Sequence, residues 1–327
     1  MSYDVICVGD VMMDFFVFPK DVEILNPHSS SNNLLCLDFG DKIPIDKAAT
    51  EIGGSANNVA VGLSRLGLKS AISGLAGKDY AASMVIERLH KEEVSAKFLT
   101  QYQDIQTAFS IIISYKGERT ILAYHLENYS KIKLSPQSKW LYIGPLGSDF
   151  EKVHRQAISL AAEKDINIAL NPGPMQLKQG AIDGILRVTK VLILNREEAQ
   201  KLLDFPRVLP MGQLLKDLKK KGPEVVVITD GAEGAACYDG LKAFKIKAYP
   251  AERKESTGAG DAFSAGFLGA IILGKDMVTA LRWGVVNSSF VIEQIGGQPG
   301  LATKAKIEKE IAHFRWPAMI EELSAIK

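Results

Sequence analysis

From residue 140 onward the chain alternates short apolar runs with helical stretches, and this alternation leaves few folds open. Trp140 to Ile143, Ile166 to Leu170, Val191 to Leu194 and Val225 to Thr229 are apolar almost throughout. Runs this short, with no polar alternation, fit strands covered on both faces, as happens when helices carry the chain back between parallel strands. Tyr3 to Val8 is a further run of this kind and ends at Gly9-Asp10. The expected fold class is therefore α/β, a three-layer, doubly wound, mostly parallel sheet with helices on both faces. Such sheets bind ligands beyond the C-terminal ends of their strands. That places Asp10, Asp14 and the polar stretch Asn195-Arg-Glu-Glu198 at the edge of a crevice.

Composition narrows the function. A chain of 327 residues, 46% hydrophobic and 24% charged, suits one α/β domain over 1–327 with a smaller appendage. The net charge is +1 with both signs mixed along the chain, which speaks against a nucleic-acid partner or a membrane surface. Cys7, Cys36 and Cys237 form neither an even set nor a C-x-x-C pair, so a reducing, cytoplasmic location fits. Asp10 and Asp14 interrupt the N-terminal apolar run, which makes a signal peptide or membrane span unsuitable there. Thr107 to Ser114 and Thr120 to His125 are rich in β-branched residues and flank Tyr115-Lys-Gly-Glu118, a hairpin signal. With the irregular stretch around the polar tract His28 to Asn33, parts of about 15–50 and 98–128 are expected to form a small β-sheet lid. Packing as a homodimer surface is a compatible role for it.

Two glycine-rich segments carry the chemistry. In Glu255-Ser-Thr-Gly-Ala-Gly-Asp-Ala-Phe-Ser-Ala-Gly-Phe267 the apolar residues Phe263, Phe267, Ala270 and Ile271 share one helical stripe, and Gly258 and Gly260 precede it. The helix is expected to start near Asp261. Its first N–H groups lack intrahelical partners, so Gly258, Ala259 and Gly260 can present donors to an anion. Asp261 beside them either complements the helix dipole or takes a proton from an attacking hydroxyl. In the other segment, Gly53-Gly54 leads into a helix with Val59, Leu63 and Leu66 on one side and Gly67 at its end.

These two segments, in this order, resemble the C-terminal and N-terminal signatures of the ribokinase-like, PfkB-type carbohydrate kinases. The resemblance covers nearly the whole chain and implies an ATP-dependent phosphotransferase acting on a hydroxymethyl group of a small sugar. It implies that Asp261 is the general base, with Gly258, Ala259 and Gly260 as the anion hole. Asp14, Gly53, Gly54 and Asn58 would hold the sugar, with Asn57 as the alternative amide. Asn195 and Glu198 would organise Mg2+ around the phosphates of ATP, Glu198 through water. Thr229 and Gly231 would lie along the nucleotide, with Asn287 on its adenine side. Glu255 and Gly296 would border a monovalent cation such as K+, although Glu255 stands where the family has Asp. A nucleoside kinase of the same family is the second reading, with Phe15, Phe16, Phe18 and Phe109 as candidates for a base slot. A non-catalytic sugar or nucleotide sensor is the third. Gly269 to Lys275 imitates a P-loop, but Asp276 follows where a hydroxyl must bind magnesium, and no G-x-G-x-x-G follows the first strand.

Overall fold

The computed structural model describes residues 2–26, 33–116, 118–178, 180–205, 207–313 and 320–322. Its first strand, β1 (Tyr3–Val8), runs into β2 (Met12–Pro19), then β3 (Glu23–Leu25), β4 (Leu34–Cys36) and β5 (Ile45–Gly53). Next come α1 (Ser55–Arg65), β6 (Ser70–Gly77), α2 (Tyr80–Lys91), β7 (Ser95–Tyr102) and the hairpin β8 (Ala108–Tyr115) and β9 (Glu118–Tyr124). The regular part comprises β10 (Ser138–Ile143), α3 (Phe150–Lys164), β11 (Asn167–Leu170), α4 (Asp183–Leu186), β12 (Thr189–Asn195), α5 (Arg196–Leu203), α6 (Met211–Lys220) and β13 (Val225–Thr229). The chain closes with β14 (Ala235–Tyr238), β15 (Ala243–Ile246), α7 (Ala259–Ile272), α8 (Met277–Ile292), α9 (Lys304–His313) and β16 (Ile320–Glu322).

Among the described residues the main sheet has ten strands in the order β16-β15-β14-β13-β12-β11-β10-β1-β6-β7. Those from β7 to β13 pair in parallel, and β14, β15 and β16 add an antiparallel margin. The apolar runs read from the sequence are the buried strands, and alternate residues serve opposite cores. Val5 and Cys7 of β1 join α1, α2, α7 and α8 on one face. Ile6 and Val8 join α3 to α6 on the other. Side chains of this kind contribute about 1.5–3 kcal/mol each when fully buried, which explains why both faces must be covered. From β1 the order runs to β6 on one side and to β10 on the other. The crevice of this doubly wound sheet therefore opens beyond Val8, at Gly9 and Asp10.

A second sheet, ordered β5-β2-β8-β9, forms the lid. It departs from the expected boundaries in one respect. Residues 98–102 belong to β7, paired in parallel with β6 in the main sheet, so the second lid segment begins at Ala108. Most of the polar tract, residues 27–32, and Gly117 in the hairpin turn lie outside the described residues. Register sets the faces. Asp14 stands opposite Glu51 and Ser110, so these three share the inner face. Phe15, Ile111 and Leu122 share the outer one, where Phe15 is 40% and Leu122 54% exposed.

Helices α7 and α8 cross with almost no space between their backbones. A Cβ on Gly266 would fall 2.5 Å from the Trp283 carbonyl oxygen, and one on Gly284 would fall 2.7 Å from the Phe263 ring. A backbone carbonyl cannot rotate out of the way, so α7 sits where it does because residue 266 has no side chain. Gly266→Ala should force the helices apart and lower stability by about 1–3 kcal/mol, the usual cost of overpacking. Urea unfolding monitored by tryptophan fluorescence would measure this, and an unchanged midpoint would refute the tight crossing.

Candidate active site

The turn before α7 is built on contact between two glycine loops. Gly258 has φ +79°, and a Cβ there would fall 2.4 Å from the Gly297 Cα. Only glycine satisfies both the left-handed backbone and the close approach. Gly260 differs from the sequence expectation, because it lies inside the first turn of α7 instead of before it. No atom lies within 4 Å of where its Cβ would be, so the backbone is open to a ligand there.

Asp261, third residue of α7 and half-buried, turns its carboxylate toward α1. Ser55 Oγ donates to Oδ1 at 2.6 Å and Asn58 Nδ2 donates to Oδ2 at 2.8 Å. Gln298 Nε2 in turn donates to Asn58 Oδ1 at 3.2 Å. Burial raises the Asp261 pKa above the ordinary carboxylate range, and the bonds from Ser55 and Asn58 pull it back. The result is a fixed carboxylate with some basicity added. Asn58 is thus a partner of Asp261, whereas Asn57 points into the interior, donates to the Gly53 carbonyl at 3.0 Å and is fully buried. Ser55 was missed in the sequence, although its spacing of three from Asn58 puts both on one face of α1.

On the lid side Asp14 is 4% exposed and lies against Gly53, where a Cβ would fall 2.0 Å from Oδ2. Burial pushes the Asp14 pKa up to about 7; the Ser110 hydroxyl opposes this, and the charges of Asp261, Glu255 and Glu51 add to it. Gly54, with φ +94°, brings its backbone against the Asp10 carbonyl, which a Cβ would approach to 2.4 Å. The Asp10 carboxylate accepts from the Tyr129 hydroxyl and contacts His125 Nδ1 at 3.0 Å. His125 and Tyr129 carried no signal in the sequence, because only the fold brings them to the end of β1. Glu255 is buried and accepts from Thr257 N at 2.7 Å and Thr257 Oγ1 at 2.9 Å. Gly296, with φ +95°, packs beside the Glu51 side chain.

A cavity of about 560 Å³ adjoins the turn, lined by Thr229, Gly231, Tyr249, Arg253, Ser256, Ala259 and Gly260 among others. Asn195 and Glu198 form a capping box at the start of α5: Asn195 Oδ1 accepts from Glu198 N at 2.8 Å, and Glu198 Oε2 accepts from Asn195 N at 2.9 Å. Burial raises the Glu198 pKa, and the bond from the Asn195 backbone lowers it in part. Asn287 corrects the sequence reading. It is fully buried, donates to the Ala262 carbonyl at 2.8 Å and accepts from Ala302 N at 2.9 Å. Its neighbours Ser288 and Ser289 line the cavity instead. The amide satisfies backbone groups between α7 and the segment before α9, and its full burial keeps it out of the cavity lining.

The Asp10 contact gives a direct electrostatic test. Its hydrogen bond raises the His125 pKa, burial opposes the shift, and the charge of Asp10 adds to it. A raised histidine pKa means that the ion pair is complete at low pH and is lost as pH rises through the raised value. NMR titration of the His125 ring should show a midpoint above that of an ordinary histidine, falling back toward it in Asp10→Asn. Identical midpoints in the two proteins would exclude the pair.

With this geometry in place, comparison with known proteins identifies the family. The model of the pfkB family carbohydrate kinases matches residues 3–304. The chain is 27% identical over 264 residues to a ribokinase of Bacillus subtilis, covering 79% of this chain and 86% of that one. It is 27% identical over 274 residues to a nucleoside kinase of Methanothermobacter thermautotrophicus, covering 80% and 87%. Its fold matches that of Arabidopsis thaliana ribokinase complexed with ribose and ATP, with a TM-score of 0.78 at 18% identity over 96% of this chain and 100% of that one. A match spanning the β1 strand, the lid, both glycine segments and the start of α9 means that the chain belongs to the pfkB family of carbohydrate kinases.

Proposed function

We propose that this protein transfers the γ-phosphoryl group of ATP to a hydroxymethyl group of a small sugar of the ribose or fructose type. The observation that carries the reading is the Asp261 carboxylate, held by Ser55 and Asn58 beside the glycine turn that starts α7. Asp261 accepts the proton of the attacking hydroxyl as the new O–P bond forms and the bond to the β-phosphate oxygen breaks. The N–H groups of Gly258 and Gly260, joined by that of Ala259 once it releases the Ser256 carbonyl it meets at 3.3 Å, stabilise charge on the transferred phosphoryl oxygens. Asp14 accepts from sugar hydroxyls, with the Gly53 and Gly54 backbone closing the same side. Thr229 and Gly231 flank the nucleotide in the 560 Å³ cavity. Among the described residues no three His, Cys, Asp or Glu side chains converge as a metal cage. Magnesium carried on the triphosphate would neutralise its charge, and Glu198, near enough to feel the charge of Asp261, would hold one of its waters.

A nucleoside is the second acceptor to weigh, since one relative is a nucleoside kinase. Of the four phenylalanines considered for a base slot, Phe15 and Phe109 lie on the lid face opposite Asp14, and Phe16 is fully buried. Only Phe18 remains, half-buried under Lys47. This favours the sugar. A sensor has no use for a positioned base beside an anion turn.

Two variants separate the roles. With ribose, fructose and adenosine offered in turn, Asp261→Asn should lower kcat by about 10² to 10⁴ while leaving ATP binding intact. Asp14→Ala should weaken sugar binding by about 2 to 3 kcal/mol and ATP binding far less. Near-wild-type turnover in the first variant, or unchanged sugar affinity by calorimetry in the second, would sink the assignment.

The reading extends to a monovalent cation. The extra methylene of Glu255 is absorbed where its carboxylate folds back onto Thr257, so a carboxylate still stands beside the Gly258 turn. We expect potassium to activate by shaping that turn, with Glu255 and the backbone at Gly296 as the groups near it. Initial rates in potassium chloride and in a bulky organic cation chloride, at matched ionic strength, test this. Equal rates would remove the cation from the scheme.

A further inference from the structure

The two amides behind Asp261 have one workable arrangement. An ionised carboxylate only accepts, so the end of Asn58 that meets Asp261 must be Nδ2, which donates at 2.8 Å. The same amide then turns Oδ1 the other way, where Gln298 Nε2 donates to it at 3.2 Å. Gly297 closes a further side: a Cβ there would fall 2.5 Å from Asn58 Nδ2 and 3.0 Å from its Cγ. Asn58 therefore has little room to swing, and a half-turn of the amide about its own axis is the movement left to it. That half-turn would set Oδ1 against the Asp261 carboxylate, and the bond from Gln298 opposes it.

Gln298 is fully buried, yet its Oε1 has no hydrogen-bond partner. Burying an amide with one end unsatisfied carries a cost, and the bond its other end makes goes to Asn58. The backbone at this point is held firmly. The Gln298 carbonyl accepts from Arg65 Nη1 at 3.0 Å and from Leu301 N at 3.1 Å. Arg65 also donates to the Leu301 carbonyl at 2.7 Å and grips the Glu92 carboxylate through Nε at 2.7 Å and Nη2 at 2.6 Å. A chain of bonds thus runs from the end of α2 through Arg65 and Gln298 to Asn58.

We propose that Gln298 is a positioning residue for the general base, which by donating to Asn58 Oδ1 keeps Nδ2 aimed at Asp261 and so holds the carboxylate ready for the proton of the attacking hydroxyl. The inference rests on the kinase reading and deepens it. With Gln298 in place both carboxylate oxygens have a donor, Ser55 on Oδ1 and Asn58 on Oδ2. Without it a turned amide would present a carbonyl dipole where a donor stood, which disfavours the charged form. Asp14 on β2, Tyr142 on β10 and Glu198 on α5 also feel the charge of Asp261, and Glu255 and Glu51 act on Asp14 in turn. All of these stay in place in the variants below, so a difference between variants reports on the amides.

The test uses the full chain labelled at its aspartate carboxyl carbons, with Asp261→Asn to assign the NMR signal. Gln298→Met keeps the length of the side chain and removes the donor. In it the Asp261 midpoint should rise by about one pH unit, as loss of a hydrogen bond to a charged group does. The acid limb of kcat/KM should move up by the same amount, with ATP affinity unchanged. Asn58→Ala should raise the midpoint similarly, and adding Gln298→Met to Asn58→Ala should change nothing more. An unmoved midpoint in Gln298→Met would overturn the proposal, as would a full further shift in the double variant, the mark of a route that bypasses Asn58. A check on the wild type needs no altered chain in the reading itself: the Asn58 side-chain amide protons, assigned by their loss in Asn58→Ala, should shift with the Asp261 midpoint. Amide protons blind to that midpoint would also overturn it. If the wild type phosphorylates no sugar or nucleoside, the kinase reading fails, while the titrations still decide whether Gln298 governs the charge of Asp261.

Discussion

Everything in the site depends on how closely α7 is held against α1 and the loop at Gly297. A Cβ on Gly258 would meet Gly297, one on Gly297 would fall 2.5 Å from Asn58 Nδ2, and one on Gly62 would fall 2.5 Å from the Ala265 Cβ. Removing side chains at these points lets the start of α7 approach α1 until Ser55 and Asn58 reach Asp261. The two signature segments are therefore one structural unit. Their glycines do not confer flexibility here; they permit contact, and the contact fixes a carboxylate within hydrogen-bond distance of two donors.

That contact concentrates negative charge. Asp14 has Asp261, Glu255 and Glu51 as electrostatic neighbours, and its carboxyl is held up to about 7. Carboxylates at this density in a half-dry site cannot all be ionised without cost, and hydroxyl donors from a ligand relieve what the protein leaves unpaired. The arginines lie on the other side of the turn, at Ser256. Opposite potentials thus face each other across the few residues from Ser256 to Asp261.

Much of this was legible in the sequence, for reasons that can be named. Apolar runs such as Val191 to Leu194 announced β12 because a strand covered on both faces has no polar alternation. The turn before α7 was legible because glycine spacing and the apolar stripe after it are local features. What failed was non-local. Asn287 looks like a polar residue available on a helix, yet the close crossing of α7 and α8 commits it to the Ala262 carbonyl and Ala302 N. Residues 98–102 look like lid strand because β7 at the sheet margin has only intermediate or exposed positions. His125 and Tyr129 meet Asp10 across more than a hundred residues, which no periodicity records.

The lid shows how one local rule yields a functional arrangement. Side chains alternate across a strand, so in β2 Asp14 and Phe16 must face inward if Phe15 faces out. The same register carries through β8 to β9 and puts Arg119 inward while Thr120 and Leu122 face solvent. A one-residue slip of β9 would turn Arg119 away and bring Thr120 or the acidic Glu118 into its place. Tyr115 pairs with Glu118 across the hairpin, which pins that register beside the turn. The apolar inner residues Phe16 and Ile112, both almost fully buried, resist a slip because it would expose them. The packing that stabilises the lid thereby also decides which charge it presents to Ser256.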